Sequence, residues 1–260
     1  MRKVEKLSDG YIIDDDSYFA DQMYTTNSML KQLNEGSTRK LHHYLNTEQK
    51  ETEAFLIGSA FHCYILEPDE FDSRYVYAPK FDKRTKIGKA SYAEFLETIG
   101  DRKPIPEYLE GVFENMSENI YKNRDANKLL QGAKEREKIH FWKDIATGTL
   151  CKGKVDAEGE NYIVDIKTTS KKSDLDSFKT FMDTYKVHQQ AAFYTSGTQK
   201  KNFYFIMCEL KAPFGVGIYK MSEESLKAGE VLVDRAIDMY SKWFMEDEVT
   251  DYNLSKIVLV

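Results

Sequence analysis

TLCKGKVDAEGENYIVDIKTT, residues 149–169, decides how the chain folds. Thr149–Asp156 and Tyr162–Lys167 are short runs of β-type residues. Ala157-Glu158-Gly159-Glu160-Asn161 between them has the composition of a turn, so the stretch reads as a β-hairpin. Strand side chains alternate faces. Asp165 and Lys167 therefore share one face, and Val164 and Ile166 share the other. A carboxylate and an amine on a strand that is otherwise β-branched sacrifice apolar burial unless they have a task. The turn also returns Asp156 towards Asp165. Two converging carboxylates repel each other unless a cation lies between them, and such oxygen donors suit Mg2+ or Mn2+. A lysine beside that cation can orient a water, which completes the parts needed to hydrolyse a phosphodiester. The spacing alone is loose, because Asp–Lys pairs on exposed strand faces are common and weak.

Working outward, Ile139–Lys143 reads as a strand before the hairpin and Asp174–Thr195 as a long amphipathic helix after it. Strands at 202–210 and 214–220 follow, joined through Ala212-Pro213, and Ser222 caps a last helix over 223–246. Towards the N-terminus, Thr26-Asn27-Ser28 caps a short helix containing Met29, Leu30 and Leu33, which Gly36-Ser37 stops. Glu51–Leu66 is apolar nearly all round, which predicts a buried helix ended by Glu67-Pro68. Lys80–Lys89 is a basic, glycine-containing loop, followed by helices over 89–99 and 106–130. The order predicts an α/β (α+β) fold, a mixed central β-sheet flanked by helices. It is read as a single domain over 1–260. A flexible, polar arm spans 1–24, a mainly helical part 25–130 and a sheet-containing catalytic core 131–250.

The 260 residues are enough to bury a core. The longest apolar run, Ala54–Leu66, is interrupted by Gly58, Ser59 and His62 and is too short to span a bilayer. MRKVEKLSDGY at the start lacks the apolar core of a signal peptide. Cys63, Cys151 and Cys208 are far apart, with no CxxC pair, which argues against a disulfide framework and a thiolate metal site. These features predict a cytoplasmic protein that does not act at a membrane. With a net charge of −6, the chain either avoids nucleic acid or presents basic residues locally and carboxylates elsewhere, and composition alone does not decide between them.

Several companions of the hairpin are ordinary when taken singly. His62 lies in GSAFH within the buried helix. Gln190 and Tyr194 are four residues apart and share a helix face. Glu137 stands ahead of the first strand, five residues before Trp142. Taken in order, GSAFHCYILEPDEF (58–71), FDKRTKIGKASY (81–92), EKIHFWKDIATGTLCKGKVDA (137–157), VDIKTT (164–169) and HQQAAFY (188–194) resemble RecE-type exonucleases and their phage relatives. These belong to the PD-(D/E)XK nuclease superfamily, and the resemblance runs over roughly residues 25–245. It implies a restriction-endonuclease-like core.

The resemblance also implies roles. Asp156, Asp165, Lys167, Gln190, Tyr194 and, as a weaker match, Glu137 take catalytic positions. His62, Asp156, Asp165 and Ile166 take metal positions, for Mg2+ with Mn2+ as a substitute. Lys83, Arg84, Lys86, Lys89, Lys154, Thr168, Thr169, Lys171 and Gln190 face DNA, with Lys152 and Lys172 as further cations along the path. The family degrades linear double-stranded DNA 5′→3′ and leaves 3′ single strands for recombination by strand annealing. A single-strand annealing protein and a homo-oligomeric ring are the implied partners, in a bacterial host cell or encoded by a phage. One position departs from the pattern: Val155 stands where the motif name has proline. The alternatives are another PD-(D/E)XK nuclease, acting on single-strand ends or internally, and a non-catalytic DNA-binding or assembly protein with the same fold.

Overall fold

A computed structural model describes residues 2–7, 17–18 and 21–246, apart from the side chains of Met245 and Glu246. The first half runs β1 (Val4–Lys6), α1 (Asn27–Glu35), α2 (Thr38–Leu45), α3 (Glu53–Leu66), α4 (Pro68–Arg74), β2 (Tyr75–Ala78), α5 (Lys86–Ile99), β3 (Lys103–Pro106), α6 (Leu109–Lys122) and α7 (Arg124–Gln131). The second half runs β4 (Glu135–Asp144), β5 (Leu150–Glu158), β6 (Tyr162–Thr169), α8 (Leu175–Tyr185), α9 (Val187–Thr198), β7 (Asn202–Glu209), β8 (Val216–Lys220) and α10 (Glu223–Glu246).

The hairpin forms where alternation puts it. β5 and β6 pair through Ala157–Val164 and Glu158–Ile163, and beyond those rungs they part. β6 then pairs in parallel with β7 along its whole length. β4 lies antiparallel to β5, β8 to β7 and β1 to β4, giving a mixed sheet in the order β1-β4-β5-β6-β7-β8.

Both faces of this sheet are covered, so both sides of its central strands are apolar. On one face Phe61 of α3, Phe113 of α6 and Leu130 of α7 pack with Val164, Ile166 and Ile206. On the other, Phe178 of α8 and Ala191 of α9 pack with Ile163, Phe203 and Phe205. The Trp142 and Phe193 rings meet at a tilt, centroids 4.7 Å apart, on that second face, beside Leu30 and Leu33 of α1 and Ile237 of α10. Each such side chain contributes about 1.5–3 kcal/mol when fully buried.

Several elements differ from the sequence expectation for local reasons. The helix expected over 106–130 is two, because the Asn123 side chain accepts from Asp125 N and Ala126 N and caps a second helix. The helix expected over 174–195 breaks at Lys186, whose backbone is left-handed (φ 52°, ψ 39°). The basic loop is shorter than 80–89: Thr85 accepts from Gly88 N at 3.0 Å and starts α5 at Lys86. Pro68 ends one helix and opens the next as its first residue. The arm contributes β1 at the sheet edge, and β2 and β3 form a parallel pair that the sequence pattern did not suggest. No helix among the described residues is long and apolar enough to cross a membrane.

Candidate active site

The parting of β5 from β6 leaves backbone groups to satisfy, and Asp156 satisfies one of them. Its Oδ2 accepts the Ile166 N–H at 2.7 Å. From α3, His62 reaches the same gap. Its Nε2 meets the Ile166 carbonyl at 2.6 Å, and its Nδ1 lies 3.5 Å from Asp156 Oδ2. A carbonyl can only accept, so Nε2 carries the proton and Nδ1 is left as an acceptor. Two acceptors, a ring nitrogen and a carboxylate, therefore face each other.

Glu137 completes a cluster. In the β4–β5 register it stands opposite Asp156, between the pairs Arg136–Ala157 and Lys138–Val155. Its backbone is left-handed (φ 49°), which costs a non-glycine residue about 1–3 kcal/mol. One ligand atom each from His62, Glu137 and Asp156 falls within 4.8 Å of the others. Burial and the nearby Asp156 charge push the Glu137 carboxyl up to about 7, against the pull of Lys154. Burial and the Asp165 charge push Asp156 up to about 7 as well. Burial and Lys167 hold the His62 imidazole below its ordinary value, so it is a neutral base at pH 7.

Asp165 sits on the other side of β6, turned towards α9. Gln190 Nε2 donates to its Oδ1 at 2.6 Å, and Lys167 Nζ approaches its Oδ2 at 2.7 Å. That Oδ2 is buried, with the Lys167 ammonium as its ion-pair partner. Burial opposes the Lys167 ammonium, but Asp165 and Asp156 outweigh it and hold its pKa above the ordinary value. Tyr194, one helical turn after Gln190 and bonded to it, is kept neutral by burial and by the nearby Tyr18, Asp165 and Asp156. Gly153 makes room for that ring: a Cβ there would lie 2.7 Å from Tyr194 Cε1.

The structure thus brings His62, Glu137, Asp156, Asp165, Ile166, Lys167, Gln190 and Tyr194 to one place. Within it, the tight ligand cluster contains Glu137 in place of Asp165, which the sequence reading had put among the metal positions. Glu137 also lies within β4 rather than ahead of it.

The proposed DNA contacts are more dispersed. Lys154 is paired with Glu137 at 2.7 Å. Thr169 Oγ1 accepts from Lys171 N, and Thr168 lies beside Gly58 of α3. Lys83 stacks over the Tyr92 ring and Arg84 pairs with Asp82, while Lys86 and Lys89 are exposed on the first turn of α5. Lys152 does not line a path. It is 1% exposed, and its Nζ donates to the Tyr18 and Asp21 carbonyls, pinning the arm. The sequence reading missed Tyr18, because nothing in a polar arm marks one tyrosine as folding back.

The fold and this cluster define a PD-(D/E)XK nuclease-like protein. Residues 26–253 match the family model described as a PDDEXK-like domain of unknown function (DUF3799), and the chain belongs to that family. Among solved structures, a Eubacterium rectale protein provisionally assigned as an exonuclease superposes with a TM-score of 0.67. It shares 17% identity, over 96% of both chains. The structure of SSO0001 aligns at 14% identity over 82% of this chain and 84% of its own, with a TM-score of 0.30, too distant to argue from. No curated protein matches the chain.

Proposed function

We propose that the chain is a divalent-metal-dependent exodeoxyribonuclease acting on linear double-stranded DNA. The observation that carries this reading is the triad of His62, Glu137 and Asp156 beside the Asp165–Lys167 pair. The donor set fits a cation. Burial, with the neighbouring carboxylate charges, holds protons on Glu137 and Asp156 up to near neutrality, and an unprotonated ring nitrogen faces one of them. Side chains 14–25% exposed at Glu137, Asp156, His62 and Lys167 leave the centre open to small ions and water. The carboxylate oxygens suit Mg2+ or Mn2+, and the imidazole nitrogen favours Mn2+ of the two. When bound, such a cation polarises the phosphate and favours ionisation of a water.

The chain's own residues do the rest. Ile166 O fixes the His62 ring and its tautomer, and Gln190 holds the Asp165 carboxylate in place. Lys167, charged and anchored by Asp165, orients the attacking water. Water adds to phosphorus and gives up a proton, the bond to the leaving sugar oxygen breaks, and that oxygen takes up a proton to leave as a hydroxyl. Asp165→Ala or Lys167→Ala is expected to lower digestion of linear DNA at least about a hundredfold with folding intact. Full activity in both variants contradicts the assignment.

The finer points rest on the resemblance to RecE-type enzymes: 5′→3′ polarity, 3′ single-stranded products for recombination, a homo-oligomeric ring, a single-strand annealing partner and a cytoplasmic setting. Strand-specific end labels test the polarity, and sedimentation tests the ring.

A further inference from the structure

Gln189 precedes Gln190 in α9, and its side chain leaves the helix about 100° round the axis from that of its neighbour. Gln190 reaches the Asp165 carboxylate, whereas Gln189 is 1% exposed and turned to α1. Both ends of the Gln189 amide are engaged there. Its Oε1 accepts from Asn34 Nδ2 at 2.9 Å, and its Nε2 donates to Asn27 Oδ1 at 3.1 Å. Asn34 Nδ2 also donates to the Leu232 carbonyl of α10 at 2.8 Å. A carbonyl can only accept, so this bond fixes which way the Asn34 amide points, and with it the Gln189 amide. Asn34 Oδ1 is then buried without a hydrogen bond. An orphaned buried oxygen costs about 1–3 kcal/mol, so the network is a poor source of stability alone. What it does supply is a fixed register between α1, α9 and α10.

The start of α9 needs such a register. The chain leaves α8 through the left-handed Lys186, which caps α9 without a side-chain hydrogen bond. Ala191 and Phe193 hold the helix on apolar neighbours, but apolar packing is non-directional and tolerates small slides. Hydrogen bonds have set lengths and directions. We propose that Gln189 is a positioning residue of the active centre, its two bonds to α1 setting the rotation and height of the first turn of α9 so that the Gln190 amide stays on Asp165. The inference rests on the nuclease reading above. A displacement of about 1 Å in a catalytic group can cost about a hundredfold in rate, so a slack α9 is read in kcat before it is read in substrate affinity.

Gln189→Met keeps the length of the side chain and removes both bonds. Digestion of end-labelled linear duplex with Mn2+ is compared in wild type, Gln189→Met, Gln190→Ala and the double variant, with thermal unfolding as the check on folding. Gln189→Met is expected to lower kcat about tenfold with KM within about twofold. In the Gln190→Ala background the same change is expected to cost less than about twofold, because the group it positions is gone. Losses that multiply in the double variant overturn the proposal, as does wild-type kcat in folded Gln189→Met. Asn27→Ala removes only the Nε2 partner and is expected to follow the same pattern with a loss of about threefold; it carries the test if Gln189→Met does not fold. NMR of the Gln190 side-chain amide gives a reading independent of catalysis. Its protons are expected to exchange with water faster in Gln189→Met than in wild type, and equal exchange overturns the positioning. A wild type that digests no DNA with Mn2+ overturns the nuclease reading instead, and the amide exchange still decides whether Gln189 holds Gln190.

Discussion

At the residue scale, the two raised carboxyls make a signed statement about pH. Glu137 and Asp156 are held near 7 in the folded chain, against ordinary values close to 4. The metal-free folded state binds more protons than the unfolded state across that window, so its stability falls as pH rises from about 4 to about 7. A divalent cation reverses the trend, because it takes the deprotonated forms. Thermal unfolding at pH 5.5 and pH 8, with and without Mn2+, is expected to show stabilisation by metal chiefly at the higher pH. Equal stabilisation at both values contradicts it. Glu137→Gln removes one ligand oxygen's charge and is expected to weaken Mn2+ binding about tenfold or more in calorimetry. The sequence showed Asp165 and Lys167 on one strand face through simple alternation. Alternation could not place Glu137 in the cluster, because that depends on a left-handed backbone in mid-strand; only the family resemblance pointed to it.

At the scale of elements, the hairpin was legible and its opening was not. Hydrophobic pattern fixes which face a residue takes but not how many rungs of a ladder form, and here only two join β5 to β6. The breaks at Asn123 and Lys186 escaped for a related reason. Neither carries glycine or proline, and one is a side-chain cap while the other is a left-handed lysine. Gly153 is the counter-case, a glycine in mid-strand whose purpose shows only once Tyr194 packs against it. Gly153→Ala is expected to destabilise the chain by about 1–3 kcal/mol in denaturant unfolding and to reduce DNA digestion by displacing Tyr194. A neutral effect on both contradicts that packing. Lys152→Ala leaves two arm carbonyls without their donor and opens a cavity, with an expected loss of about 2–4 kcal/mol.

At the scale of the molecule, an excess of acid coexists with exposed cations at the start of α5. The net charge is −6, yet Lys86 and Lys89 stand exposed at the start of α5, with no acid in that first turn. Cations there oppose the helix dipole, a local cost that a polyanionic partner would offset. Lys86→Gln and Lys89→Gln are each expected to lower the salt dependence of DNA binding by about one unit of slope. Unchanged slopes remove α5 from the contact surface. The central claim is tested most directly by digesting end-labelled linear duplex and covalently closed circular DNA side by side, with Mn2+ and with chelator. Release of nucleotides from the linear duplex only when metal is present, with the closed circle intact, is the expected result. A cut circle, or a linear duplex left whole with metal present, contradicts it.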